Sequence, residues 1–165
     1  MAGEQDSPSP KGLTQLSHIA RVCHEEDVKV VVHSTLPRAA IAADMLAEIL
    51  SLPSIAQRGL EERNFGEWER WDWPKISFEL SKLSIESRYT FKPPGGESWQ
   101  EMEARVRAVL SDIAALKHDS VAIVTHAGTM RVLLTILDVK SKLAAINYVP
   151  ALGKCVIEEF DTSSN

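Results

Sequence analysis

The chain has 165 residues, 44% apolar and 25% charged, an ordinary globular composition and long enough for a core of its own. Its formal net charge of −5, with no dense basic block, disfavours bulk electrostatic binding to nucleic acid or to an anionic membrane. No apolar run reaches the length of a membrane span, the start lacks a signal-peptide core, and Cys23 and Cys155 follow no metal or disulfide spacing, so a reduced, cytoplasmic protein is expected.

Residues 1–11 are polar, hold Pro8 and Pro10, and read as an irregular arm. Over 13–26, Leu13, Leu16, Ile19, Ala20 and Cys23 share one helical face. The β-branched run 28–32 predicts a buried strand, followed by the turn His33-Ser34-Thr35-Leu36-Pro37-Arg38. Ser34 or Thr35 could cap the next helix, and Pro37 suits its first turn. That helix is predicted to reach about residue 50, with Ala42, Met45, Leu46 and Ile49 facing the core. Residues 53–58 form a short connection or strand. The stretch from Leu60 to Trp68 has no period of either kind, and its charge and aromatics suggest a site. A helix is expected over 73–84. Pro93-Pro94-Gly95-Gly96 is a hard break, after which Ser98 and Glu101 give a capping-box pattern. Trp99, Met102, Val106, Val109, Leu110, Ile113 and Leu116 then recur at helical spacing. A strand over 121–125 and a helix over 129–137 follow. Two short runs, 145–149 and 154–160, could pair as an edge hairpin.

Three side chains stand where chemistry is expected. The run Val121 to Val124 ends in Thr125-His126-Ala127-Gly128, which puts an imidazole at the carboxyl end of a parallel strand, beside a helix N-terminus. Open α/β sheets bind ligands there, and the exposed N–H groups favour anions. Arg38, in the first turn after another strand, has a guanidinium that can fork onto phosphate oxygens. Glu62, in the aperiodic loop, could serve as a general acid or base. Singly, each also suits a structural role: a surface arginine, a solvated carboxylate among Glu61, Glu67 and Glu69, a satisfied histidine.

Jointly they are in series with other signals. His33-Ser34-Thr35-Leu36-Pro37-Arg38-Ala39, Leu60-x-Glu62-Arg63-x-Phe65-Gly66-x-Trp68-Glu69, Pro93-Pro94-Gly95-Gly96-Glu97-Ser98 and Val124-Thr125-His126-Ala127-Gly128 occur in the order and at about the spacing of the histidine phosphatase superfamily, the phosphoglycerate-mutase-like enzymes. The chain resembles this family from about Asp6 onward. The Phe-Gly-Glu-Trp-Glu stretch is most similar to the α-ribazole phosphatases and related small phosphatases. The resemblance implies one α/β domain over residues 1–165, a three-layer α/β/α phosphoglycerate-mutase-like sheet. It implies phosphomonoester hydrolysis in two steps through a phosphohistidine intermediate. Arg38, His126 and Ala127 would hold the phosphate, His126 would be the second histidine of the mechanism, and Glu62 would donate a proton to the leaving alcohol. Arg63 and the Gly95–Ser98 turn would border a pocket for a small phosphorylated substrate. No metal or other cofactor is implied, because cationic side chains supply the positive charge. Ala42 departs from the family, which often has threonine there.

The resemblance also exposes a gap. The family's nucleophile lies in an Arg-His-Gly motif ending a first, central strand, and this sequence contains no Arg-His-Gly. His18, His24 and His118 sit on or at the ends of helices and read as solvated, while His33 precedes the clamp turn and should point elsewhere. Asp6 to Gln15 resembles the family's connection between the nucleophile loop and the first helix, which suggests an N-terminally incomplete domain, with Met1 an internal methionine. Without the central strand the chain is expected to be catalytically inactive as given, and to be aggregation-prone or rearranged. The alternatives are a non-catalytic pseudophosphatase that binds a phosphorylated ligand or partner and, less favoured, a mutase-type phosphotransferase.

Overall fold

The computed structural model describes residues 9–149. Among these residues, seven α-helices and three strands follow in the order α1 (Pro10–Glu25), β1 (Val30–His33), α2 (Pro37–Leu50), β2 (Ser54–Ala56), α3 (Trp73–Ser81), α4 (Ile85–Thr90), α5 (Trp99–Ala114), β3 (Val121–Val124), α6 (Ala127–Ile136) and α7 (Lys142–Asn147), with a 3-10 turn at Gly66–Arg70 before α3. They gather into two compact units: residues 9–61 with Val109–His126, and Glu62–Ala108 with Ala127–Val149.

The first unit holds the sheet. All its strand pairs are parallel, in the order β2-β1-β3, with Val31 opposite Ser54 on one side and Ala122 on the other. The middle strand, β1, is apolar from Val30 to Val32 and buried throughout, as a parallel strand covered on both faces should be. Val31 points into a cluster with Leu16, Ala20 and Cys23 of α1 and Ala43, Leu46 and Ala47 of α2. Val30 and Val32 point the other way, to Leu60 and to Val109 and Ile113 at the end of α5. The period-2 alternation of one short strand thus builds both cores. β3 pairs with β1 alone among the described residues, and all four of its residues are half-buried.

Several local expectations are corrected. α1 begins at Pro10, inside the segment expected to be irregular, because Ser9 caps it by accepting the Gly12 N–H and proline fits the first turn. α2 has no side-chain cap: Leu36 takes that position, while Ser34 and Thr35 are engaged elsewhere. Its buried face is Ala39, Ala43, Leu46 and Ala47, and Ile49 is 54% exposed. The helix is nearly apolar all round, so its period does not fix its phase, and the small alanines allow close approach to β1. The run 145–149 is not a hairpin strand. Ser141 accepts the Ala144 N–H and caps α7, which buries Ala145 and Ile146; the partner run 154–160 lies outside the described residues.

The second unit is built on α5. Its capping box forms as the sequence suggests: Ser98 Oγ accepts the Glu101 N–H at 3.1 Å, and Glu101 accepts the Ser98 N–H at 2.9 Å. Glu103, nearly buried on the same helix, accepts from the Tyr89 hydroxyl of α4 (2.7 Å) and from Arg107 (2.9 Å), and pairs with Lys142 of α7 at 3.1 Å. Burial pushes the Glu103 carboxyl up, but hydrogen bonds from Tyr89, Arg107 and Lys142 outweigh it and leave it below the usual carboxylate range. Three helices are thereby tied to one carboxylate.

Candidate functional site

In the first unit the parallel register brings the ends of β1 and β3 level, His33 opposite Val124. The chain leaves each strand into a turn and a helix. The Ser34 N–H continues the ladder to the Val124 carbonyl at 3.0 Å, so the turn from Ser34 to Arg38 and the His126 turn start side by side. Arg38, exposed in the first turn of α2, donates from Nε to His126 Nδ1 at 3.0 Å. On the other side of the ring, His126 Nε2 lies 2.8 Å from Ser34 Oγ. His126 is 6% exposed and Ser34 is fully buried. The sequence placed Arg38 and His126 88 residues apart; the fold makes them hydrogen-bond partners at the carboxyl ends of adjacent parallel strands, where such sheets take ligands.

Two further residues hold this corner in roles that the sequence alone does not mark. Thr35 donates its hydroxyl to Glu61, whose other oxygen accepts the Gly59 N–H at 2.6 Å. Thr125 donates to the Leu60 carbonyl at 2.6 Å. Glu61 therefore ties the clamp turn to the loop before Glu62 and is not a solvated neighbour of it. A hint existed: the polar triplet Ser34-Thr35 and Thr125 flanks two apolar strand ends, where short hydroxyl side chains commonly bond to nearby backbone and loops. His33 points away, as expected. It shares the face of Val31, and its Nε2 lies 3.9 Å from Asp44 of α2.

Glu62 belongs to the second unit, and there the backbone holds it. One carboxylate oxygen accepts the Arg63 N–H at 2.9 Å and the other the Gly128 N–H at 3.1 Å. Gly128, at the start of α6, is glycine for a steric reason: a Cβ there would overlap the Glu62 carboxylate. Arg131, one turn further along α6, is pulled below the ordinary arginine range by burial, against the opposing charge of Glu62. The first turn of α6 thus presents an N–H to a carboxylate, the use of a helix N-terminus that its dipole favours.

Arg63 is buried, its Nε on the Glu97 carbonyl (2.9 Å) and an Nη on the Phe91 carbonyl (3.0 Å), with its guanidinium 5.1 Å from the Phe65 ring centroid. Burial lowers it to about 10, while Glu97 and Glu62 resist. Its side chain welds the 62–65 loop to the 91–97 segment. The two segments also exchange Glu67 N–H to Pro94 O and Glu97 N–H to Asn64 O, and Gly96 permits the approach, since a Cβ there would lie 2.7 Å from the Asn64 carbonyl. Arg63 thus packs against the Gly95–Ser98 turn through the Glu97 carbonyl. Trp68 is buried, stacked on Trp71 at 4.9 Å and tilted against Phe91, whereas Trp73 is 57% exposed.

An imidazole and a guanidinium paired at the carboxyl ends of adjacent parallel strands define the first unit as an α/β fold of the kind that takes ligands at its strand ends. The chain belongs to the histidine phosphatase superfamily (branch 1), whose family model matches residues 1–162. It is 28% identical over 165 residues to the glucosyl-3-phosphoglycerate phosphatase of Mycobacterium tuberculosis, covering 93% of this chain and 72% of that one. A solved mycobacterial glucosyl-3-phosphoglycerate phosphatase superposes with a TM-score of 0.69 at 25% identity, covering 88% of this chain and 76% of the other. The α-ribazole phosphatase of Shigella flexneri shares the fold, with a TM-score of 0.69 at 21% identity over 88% of this chain and 74% of the other. The family carries out phosphoryl transfer on small phosphorylated substrates. No helix among the described residues is long and apolar enough to cross a membrane.

Proposed function

We propose that this chain binds the phosphoryl group of a small phosphomonoester through Arg38, His126 and the Ala127 turn, with Glu62 as the proton-transferring carboxylate and Arg63 bordering the substrate. The observation that carries the reading is the Arg38 Nε–His126 Nδ1 bond: a guanidinium and an imidazole converge at strand ends, an arrangement suited to an anion. The guanidinium supplies fixed charge, and the imidazole a hydrogen bond that follows the phosphoryl oxygens as charge develops on them. Glu62, held by two backbone N–H groups, keeps a fixed position from which to pass a proton to or from a leaving oxygen.

Because the 165 residues contain no Arg-His-Gly, we propose that they bind the phosphoryl group without forming phosphohistidine, and that the protein works in the cytoplasm. Titration with p-nitrophenyl phosphate, followed by calorimetry and by release of the coloured phenol, tests both halves. Saturable binding without release is expected, with binding lost in His126→Ala. Sustained release that survives His126→Ala would remove that residue from the chemistry; sustained release abolished by it would overturn the non-catalytic half of the proposal while keeping His126 in the site.

A further inference from the structure

Glu62 is held by two bonds that differ in reach. The Arg63 N–H belongs to the next residue, so its 2.9 Å bond fixes the carboxylate only relative to its own backbone. The Gly128 N–H, 3.1 Å away, belongs to the second residue of α6. It is met only if the peptide joining residues 62 and 63 stands at one place. The Arg63 side chain starts from that peptide and ends in the protein: the residue is 4% exposed, Nε donates to the Glu97 carbonyl at 2.9 Å and an Nη to the Phe91 carbonyl at 3.0 Å. The guanidinium also lies over the rings of Phe65 and Trp99, 5.1 and 5.6 Å from their centroids. A planar fork can serve two carbonyls and two rings at once, which an ammonium cannot. The backbone bonds between the two segments start at Asn64 and Glu67, so the Arg63 anchor is nearer to the carboxylate than they are.

We infer that Arg63 is a positioning residue for Glu62: its buried fork fixes the 62–63 peptide against the carbonyls of Phe91 and Glu97, and the fixed peptide delivers the carboxylate to the first turn of α6. Arg63 thus stands beside the substrate's place with its guanidinium turned to the protein, and it acts through its neighbour. Its bearing on chemistry rests on the reading of Glu62 as the proton-transferring carboxylate. Arg131, one turn further along α6, attracts the same carboxylate, but attraction alone sets no register between loop and helix, whereas the two directional bonds at Arg63 do.

Amide hydrogen exchange, followed by nuclear magnetic resonance on the whole chain, tests the inference. Gly128 is too near the start of α6 to have a carbonyl partner within the helix, so its protection reports the Glu62 bond. The Leu133 amide, deeper in the same helix, reports the helix itself. Glu62→Ala sets the rate without the bond. Arg63→Met should speed exchange at Gly128 about tenfold relative to Leu133, and Arg63→Lys, which keeps the charge but not the fork, should do nearly the same. Phe65→Leu, which removes one ring and leaves the fork on its carbonyls, should speed it about threefold; it serves where Arg63→Met fails to fold. Protection at Gly128 that falls only in step with Leu133, or that Arg63→Lys preserves, overturns the inference. Saturable binding of p-nitrophenyl phosphate that leaves the amide signals of Glu62, Arg63 and Gly128 unshifted overturns instead the reading of Glu62 as a site residue, with the Arg63 anchor intact.

Discussion

The two candidate catalytic centres are built by different means. At the strand ends of the first unit, Arg38, His126 and Ser34 hold one another through side chains. At the start of α6 in the second unit, Glu62 is held by backbone N–H groups and by the absence of a side chain at Gly128. On the proposed reading the first arrangement yields to a ligand, because the exposed Arg38 can exchange its bond for one to an anion. The second cannot, because its donors are backbone N–H groups, one of them at the start of α6. A phosphate clamp must release its resting contacts on binding, whereas a proton-transferring carboxylate must stay where it is.

The largest expected effect follows from removing the exchangeable charge. Arg38→Ala should weaken inorganic phosphate binding roughly ten- to hundredfold, the usual worth of a charge-assisted bond. Because Arg38 is exposed, its thermal unfolding should change little. Calorimetric titration and a melting curve on the same sample measure the two.

Gly128→Val should do the reverse. Replacing glycine in an exposed helix normally gains stability, but here the new side chain meets Glu62, and overpacking of this kind costs about 1–3 kcal/mol. Denaturant unfolding should show the loss, and Glu62→Ala in the same background should recover part of it by making room. Full additivity of the two substitutions would break the contrast drawn here between the yielding and the fixed centre.

The frame of the second unit gives a smaller, pH-marked effect. Glu103→Gln should cost about 1–2 kcal/mol at neutral pH through its charged hydrogen bonds. The wild-type carboxyl is held below its unfolded value, so its contribution is present above about pH 4 and fades as acid protonates it in the folded state. The gap between wild type and variant should therefore close in acid. Lys142, raised by its bonds to Tyr89 and Glu103, keeps its share until the pH climbs past the ordinary lysine range.

What the sequence revealed, and what it hid, follows the same division. Short apolar, β-branched runs located β1 and β3, and helical periodicity located α5, because each packs apolar side chains against a core. The capping box was legible because both of its bonds are local. Arg38, Glu62 and His126 were legible through family spacing. The bonds that orient them were not, since Ser34–His126 and Thr35–Glu61 join residues 92 and 26 positions apart and depend on strand register. The 145–149 run misled because a β-branched and aromatic composition outweighed the single capping serine before it. The smallest expected effect belongs to another local cap: Ser9→Ala should lower stability by about 1 kcal/mol through α1 and leave phosphate binding untouched, which separates fold from site.

A double-mutant cycle on inorganic phosphate binding, with Arg38→Ala, His126→Ala and the pair, tests most directly whether the two residues serve one anion. If they do, the double variant should bind little worse than either single one, with strong non-additivity. Independent, additive losses, or undiminished binding in either single variant, would mean that their hydrogen bond is structural and that the anion, if any, is held elsewhere.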